Sequence, residues 1–130
     1  MVAFLSPAWI VASTSLWSQS LSAPGPDASV CFMVTGAPEG VGGYWWRLQD
    51  GLLIEAGLGV LDDADVTFTL SYKDAVSAAK LESDLNAGFM QGRVKVAGDS
   101  AKLFSMLALT ASPGYKAMLS ELADGTEFPG

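Results

Sequence analysis

The chain has 130 residues, of which 50% are hydrophobic and 16% charged, a composition that can bury a globular core and excludes disorder as the main state. Seven Lys and Arg residues against fourteen Asp and Glu residues give a formal net charge of −7, which disfavours nucleic acid and anionic membrane surfaces as partners. The sequence contains no histidine, so Ser-His and Cys-His catalytic pairs are excluded and zinc or copper lacks its commonest ligand.

The N-terminal segment, MVAFLSPAWIVA, is apolar, but no Lys or Arg precedes it and Pro7 interrupts it. We therefore expect no secretory signal, and we expect no stable membrane insertion because no stretch reaches the roughly 18 apolar residues that a spanning helix needs. The single cysteine, Cys31, cannot form an internal disulfide and favours a reducing compartment, so a cytoplasmic location is expected. We expect one domain over residues 1–130.

The first predicted element is a helix, because Ser6 followed by Pro7 is typical of a helix start. The helix is predicted to extend to about Gln19, with one apolar face formed by Trp9, Ile10, Leu16 and Trp17. Two prolines, a glycine and an aspartate at residues 22–27 then predict a loop. The first helix is therefore expected to form a layer of its own.

Four strands are predicted next. The apolar period changes from 3.6 to 2, which predicts a strand whose inner face is formed by Val30, Phe32 and Val34. YWWRLQ at 44–49 and LLIEAGLG at 52–59 predict two strands joined by a hairpin turn at Asp50-Gly51. VTFTL at 66–70 predicts a fourth strand, and we interpret the four strands as a meander.

The second half of the chain is predicted to be mainly helical. It is divided into a capped helix over 72–80, a short helix over 83–90, a strand over 93–97, a helix over 100–111, and a helix from Ser112-Pro113 to Asp124-Gly125. The last strand arrives through helices, so it could insert anywhere in the sheet, including parallel to a neighbour. This order predicts an α+β fold with helices over one face of the sheet.

No motif for metal, nucleotide or catalysis emerges. Asp63 and Asp74 have the spacing of a calcium-binding loop, but Phe68 stands where glycine is needed. Gly57-x-Gly59 leads into acidic residues, where a phosphate site needs the amides of a helix N-terminus. We expect no metal, no cofactor and no enzyme activity. An enzyme that uses carboxylates, Lys, Tyr or Ser stays open, although no spacing favours one.

The helix predicted over 100–111 has an unusually wide apolar arc. At 100° per residue the arc covers roughly 200°, about twice the stripe that a helix resting on one core needs. It is formed by Met106, Leu103, Leu107, Ala111, Phe104 and Ala108. Two explanations stay open: a second apolar neighbour, such as the last helix, or a cavity that holds an apolar ligand.

Several segments resemble the sterol carrier protein 2 lipid-binding domains. The most specific is AGFMQGRVKVAGD at 87–99, where an aromatic or methionine pair precedes Gln-Gly-Arg and a strand that ends in Gly-Asp. Weaker matches are FLSPAWI at 4–10, YWWRLQDGLLIEAG at 44–57 and DVTFTLSYKDAVSA at 65–78. The resemblance runs in order from about Phe4 to about Leu109. It departs from the family at Lys80-Leu81-Glu82, where the family has Gly-Lys or Gly-Glu, and in the acidic net charge.

The resemblance implies an α+β fold with a five-stranded mixed sheet, helices covering one face, and an apolar tunnel. It implies a non-catalytic carrier that binds a fatty acid, an acyl-coenzyme A or a sterol, with a lipid-processing enzyme as a second partner. An alternative is an interaction module of the same fold whose cavity is filled by its own side chains. By the family pattern, the ligand-binding residues are Phe89, Met90 and Gln91, with Phe104, Leu107, Met118 and Leu122 as further candidates.

The last predicted helix is a candidate lid. It follows the Ser112-Pro113 break, and its one-sided apolar stripe consists of Tyr115, Met118, Leu119 and Leu122. We expect residues 113–130 to cover one mouth of the cavity and to move when ligand binds.

Overall fold

The computed structural model describes residues 2–20, 27–37, 42–82 and 85–128. Within them are the helices α1 (Pro7–Ser20), α2 (Tyr72–Ala79), α3 (Leu85–Met90), α4 (Ser100–Thr110) and α5 (Pro113–Asp124). The strands are β1 (Val2–Ala3), β2 (Ala28–Thr35), β3 (Gly43–Gln49), β4 (Leu52–Leu58), β5 (Val66–Ser71), β6 (Lys95–Gly98) and β7 (Thr126–Glu127). No helix in these four ranges is long and apolar enough to cross a membrane.

A five-stranded mixed sheet forms the centre of the fold, as predicted. Its strand order is β4-β3-β2-β5-β6. The β2–β5 pair is parallel, and the other three pairs are antiparallel. The two short strands β1 and β7 form a separate parallel pair that the sequence did not predict. Most of the loop predicted over 22–27 lies outside the described residues.

The predicted meander is wrong, because β5 lies beside β2 and not beside β4. Phe68 of β5 is opposite Phe32 of β2, and their stacked rings have centroids 5.3 Å apart. At the start of β5, the Asp65 carboxylate accepts a hydrogen bond from the Ser29 backbone N–H at 3.0 Å, and the Asp65 N–H donates to the Ser29 carbonyl at 2.9 Å. These buried and hydrogen-bonded partners stabilise the parallel crossover.

The hairpin turn between β3 and β4 is confirmed. Asp50 and Gly51 have φ values of 52° and 79°, the left-handed conformations that a two-residue type I′ turn requires. The predicted caps are confirmed too, since the hydroxyls of Ser6, Ser71 and Ser112 each accept a hydrogen bond from the N–H three residues later.

The inner face of the sheet carries the core. The alternation predicted for β2 and β5 is confirmed, because the side chains buried against the helices include Val30, Phe32, Val34, Val66, Phe68 and Leu70. Helix α1 packs against β4 and α5. On the outer face, Cys31 is fully buried and its Sγ lies 3.5 Å from the Leu61 N–H. The β4–β5 connection therefore covers part of that face.

The wide apolar arc of α4 is only partly buried. Met106 is fully buried and Leu107 nearly so, whereas Phe104 is 64% exposed and Ala108 is exposed. Neighbouring apolar side chains therefore cover only part of the arc, and coverage of Phe104 by an apolar ligand stays a prediction.

Candidate functional site

A pocket of ≈ 60 Å³ lies between the inner face of the sheet and helices α1, α2 and α5. From α1 and the sheet it is lined by Trp9, Ser13, Trp17, Phe32, Tyr44, Trp46 and Leu70. From the helices on the other side it is lined chiefly by Ala75, Ala78, Ala79, Tyr115, Met118, Leu119 and Leu122. The small alanines of α2 leave the space that larger side chains would fill.

The pocket wall is a continuous set of aromatic contacts. Trp9 meets Tyr44 edge to face with centroids 5.2 Å apart, and Trp17 meets Trp46 in the same way at 5.0 Å. The Tyr115 ring of α5 contacts Trp17, with the centroids 5.7 Å apart. Edge-to-face rings are favoured by their charge distribution. The sheet, α1 and α5 therefore hold one another at this site.

The two tryptophans of α1 differ in their polar contacts. Trp17 is 1% exposed, and its Nε1–H donates a 2.9 Å hydrogen bond to the carbonyl of Gly51 in the hairpin turn. Trp9 is 4% exposed, and its Nε1–H has no hydrogen-bond acceptor among the described residues. A buried N–H without a partner is uncommon because it has lost its water without replacement.

Two tyrosines supply further polar groups to the pocket. Burial raises the pKa of Tyr44 far above its ordinary value, and the neighbouring Tyr115 raises it further. Burial likewise raises the pKa of Tyr115 far above its ordinary value. Both phenols therefore stay protonated at neutral pH and present O–H donors in an apolar setting.

The other hydroxyls of the lining are bound within their own helices. Ser13 donates to the Trp9 carbonyl at 2.9 Å, and Thr110 donates to the Leu107 carbonyl at 3.2 Å. Lys116 is exposed and is the one charged side chain among the described residues that line the pocket. Within the four described ranges, no group of three or more Cys, Asp or Glu side chains is placed to hold a metal ion.

The structure brings two of the seven sequence-predicted site residues to this pocket, Met118 and Leu122. Leu107 is buried but is not part of the lining. The other four predicted residues are exposed and lie outside it: Phe89, Met90, Gln91 and Phe104. Their role in ligand binding stays a prediction.

Gln91 has a partner of its own. Its Oε1 accepts a 2.9 Å hydrogen bond from Nε of Arg93, whose Nη1 also donates to an Asp74 carboxylate oxygen at 3.2 Å. The amide therefore takes part in a surface network that connects the segment after α3 to α2.

The sequence analysis missed most of the aromatic lining as site residues. Trp9 and Trp17 are eight residues apart on one face of α1, and Tyr44 and Trp46 share one face of β3. The signal was four large aromatic side chains on the inner faces of two neighbouring elements, because Trp and Tyr combine a large apolar surface with a polar group that needs a partner when buried.

Comparison with known proteins identifies relatives. The sequence profile of the SCP-2 sterol transfer family matches residues 25–110. The solution structure of a conserved hypothetical protein from Thermus thermophilus is similar with a TM-score of 0.73 at 14% identity, covering 94% of this chain and 91% of that one. A crystal structure of sterol carrier protein 2 has a TM-score of 0.69 at 15% identity, covering 92% and 96%.

A third similar structure is that of a palmitated sterol carrier protein 2 like 2 from Aedes aegypti. It has a TM-score of 0.57 at 15% identity, covering 79% of this chain and 96% of that one. Identities this low establish a shared fold and no more. No curated protein sequence matches the chain.

Proposed function

This chain belongs to the SCP-2 sterol transfer family, and we propose that it binds a lipid non-catalytically, with the apolar part of the lipid in the aromatic pocket. The observation that carries the proposal is the pocket itself, whose aromatic and aliphatic walls enclose space on the inner face of the sheet. A fatty acid, an acyl-coenzyme A and a sterol are the candidate ligands. The palmitated mosquito relative supports an acyl chain.

Binding without catalysis fits the polar groups of the lining. The Ser13 and Thr110 hydroxyls are engaged with helix carbonyls, and the described lining contains no carboxylate or histidine to act as a base. A general base must lie within hydrogen-bond reach of the proton that it removes. We therefore propose a carrier or presenting protein, with a lipid-processing enzyme as its partner and the cytoplasm as its location.

The pocket must widen to hold a long chain. A volume of ≈ 60 Å³ has room for about two water molecules, which is far less than a hexadecyl chain occupies. Helix α5 is the wall best placed to move, because the Ser112-Pro113 break separates it from α4. Its far end is attached to β1, because the Val2 N–H donates a 2.9 Å hydrogen bond to the carbonyl of Gly125, the residue that caps α5. We propose that residues 113–128 rotate about these two attachments.

The expected affinity is micromolar or weaker. Burying about 14 methylenes at about 0.8 kcal/mol each favours binding by about 11 kcal/mol, and association costs at least about 4 kcal/mol. The remaining −7 kcal/mol or so corresponds to a dissociation constant in the micromolar range. The work of separating α5 from the sheet weakens binding further.

The small volume also favours a second candidate function. In an interaction module of this fold, the pocket would be a packing gap in a core filled by its own side chains. The two functions differ in one respect, since only a lipid-binding protein loses an activity when the gap is filled.

A pair of alanine substitutions tests the proposal. Ala78 lines the pocket, whereas Ala108 is exposed on α4 outside it. We expect Ala78→Phe to abolish binding of a fluorescent fatty acid and Ala108→Phe to leave it within twofold of wild type. Both variants are checked for folding by near-ultraviolet circular dichroism. Absence of saturation by wild type well into the millimolar range would favour the interaction module.

A third variant separates the pocket from the site predicted by the family resemblance. Phe89 is 39% exposed on α3 and does not line the pocket, so Phe89→Asp should leave lipid binding intact. Loss of binding in Phe89→Asp, with Ala78→Phe unaffected, would place the lipid at α3. Native mass spectrometry of protein purified from its own host would identify a retained lipid.

A further inference from the structure

We infer that the pocket recognises an uncharged oxygen acceptor of its ligand, a hydroxyl or carbonyl group, through the indole N–H of Trp9 and the hydroxyls of Tyr44 and Tyr115. This inference rests on the proposed lipid-binding function and makes it more specific. It assigns the ligand a polar atom inside the pocket and names the three side chains that select for it.

The first observation is the N–H of Trp9. The side chain is 4% exposed, lines the pocket, and has no acceptor for Nε1 among the described residues. Its neighbours are the rings of Phe4 and Tyr44, both edge to face with it at 5.0 and 5.2 Å. An indole nitrogen can only donate, so the missing partner is an acceptor.

The second observation is the pair of tyrosine hydroxyls. Both tyrosines line the pocket, Tyr115 is 8% exposed, and neither hydroxyl donates a hydrogen bond to a described residue. Tyr115 lies close enough to Tyr44 to contribute to the raised pKa of Tyr44. The Tyr44 ring also contacts the Trp9 ring, and all three side chains line the same pocket.

The charge of the pocket decides which acceptor fits. Among the described lining residues, Lys116 alone is charged, and it is exposed at the rim. A carboxylate inside would lose its hydration without meeting a cation, which is costly. A hydroxyl or carbonyl oxygen loses much less on burial, and its two lone pairs accept from two of the three donors. A sterol, a fatty alcohol and an acyl ester all carry such a group.

The test compares three C12 probes delivered from cyclodextrin: 1-dodecanol, dodecane and dodecanoate. Three of the four tryptophans line the pocket, so intrinsic tryptophan emission reports occupancy. We expect Tyr115→Phe to weaken 1-dodecanol binding about fivefold, the effect of one hydrogen bond, and to leave dodecane binding unchanged. Tyr72→Phe is the matched control, since Tyr72 does not line the pocket. This variant should bind both 1-dodecanol and dodecane as wild type does.

Stability without ligand gives an independent readout. A hydroxyl without an acceptor contributes nothing to folding, so the Tm of Tyr115→Phe should equal or exceed that of wild type. A lower Tm would show that the hydroxyl is satisfied within the protein and would overturn the inference. Equal loss of 1-dodecanol and dodecane binding would overturn it too, because it would mean damage to the packing.

The remaining measurements distinguish this inference from the lipid-binding proposal, and an uncharged head group from a charged one. Dodecane binding that saturates, with no selective effect of Tyr115→Phe on 1-dodecanol, overturns this inference and leaves the lipid-binding function standing. Failure of all three probes to bind wild type overturns both. Lys116→Gln should weaken only dodecanoate. Dodecanoate that binds more tightly than 1-dodecanol and depends on Tyr115 would show a charged head group inside and would also overturn the inference.

Discussion

Two buried methionines allow the pocket to be tested apart from the general packing of the core. Met118 of α5 is 2% exposed and lines the pocket, whereas Met106 of α4 is 0% exposed and does not. Replacing either methionine by alanine removes the same three side-chain atoms from an equally buried site. We therefore expect both variants to be destabilised, and only Met118→Ala to bind ligand differently.

The magnitudes follow from the atoms removed. Loss of a thioether and its methylene and methyl groups costs about 2 kcal/mol in transfer free energy, and a residual cavity brings the total for Met→Ala to about 2–5 kcal/mol. In Met118→Ala the new space joins the existing pocket. An acyl chain that fills it buries about two more methylenes, which strengthens binding by up to about 1.6 kcal/mol, or roughly tenfold.

The assay combines urea unfolding with a fluorescent fatty acid titration. Unfolding followed by tryptophan emission gives the free energy of each variant, and a constant m-value shows that the unfolded states are comparable. We expect Met106→Ala to bind the fatty acid within twofold of wild type. A tighter complex for Met106→Ala, or unchanged affinity for Met118→Ala, would refute the assignment of the pocket as the binding site.

Three further predictions concern charge, alkaline pH and a strained residue. The Ser29 N–H and the Lys102 ammonium lower the pKa of the Asp65 carboxyl group. The ionised carboxylate therefore stabilises the fold at any pH above the ordinary carboxyl pKa, and this stabilisation is lost as the pH falls through the lowered pKa of the folded state. Asp65→Asn should therefore be less stable by about 1 kcal/mol at pH 7, as measured by urea unfolding. Because burial raises the pKa of Tyr44 and Tyr115, their contribution to stability should be constant below about pH 10 and should fall by up to about 1.4 kcal/mol per pH unit per tyrosine above it. Leu81 lines the pocket with φ at 64°, so Leu81→Gly should be more stable than Leu81→Ala by about 1 kcal/mol.

Each of these predictions has an outcome that contradicts it. A stability difference between Asp65→Asn and wild type that persists at strongly acidic pH would mean that the carboxylate charge is not the cause. Absorbance at 295 nm that shows all three tyrosines ionising near pH 10 while the protein stays folded would contradict the burial of Tyr44 and Tyr115. Equal stability of the two Leu81 variants would show that the left-handed backbone costs nothing at that position.

The sequence predicted the helices and strands of this fold better than it predicted which of them lie side by side. The change of period at Val30 and the alternation of Val66, Phe68 and Leu70 gave the strands and their buried faces. Alternation says which face a residue occupies and nothing about which strand lies beside it. The parallel β2–β5 pair depends on partners far apart in sequence, such as Ser29 and Asp65, and β1 and β7 are too short to carry a pattern.

The candidate site was predictable only in part, for a related reason. Met118 and Leu122 were predicted because the one-sided apolar stripe of a terminal helix usually faces the core. The pocket also depends on the placement of α1 against the sheet, which brings Trp9 to Tyr44 across 35 positions of the sequence. Phe104 lies outside the pocket, and an apolar arc in the sequence cannot distinguish a buried ring from one that is 64% exposed.

The buried thiol of Cys31 can report local unfolding of the sheet. Cys31 is the single thiol, is fully buried, and lies under Leu61 on the face of the sheet opposite the pocket. A thiol reagent can modify Cys31 only when the β4–β5 connection moves away from the sheet. The labelling rate therefore measures the free energy of that local opening. No engineered residue or dye is needed. A ligand that stiffens the whole sheet would slow the labelling, and one that acts only on α5 would leave it unchanged.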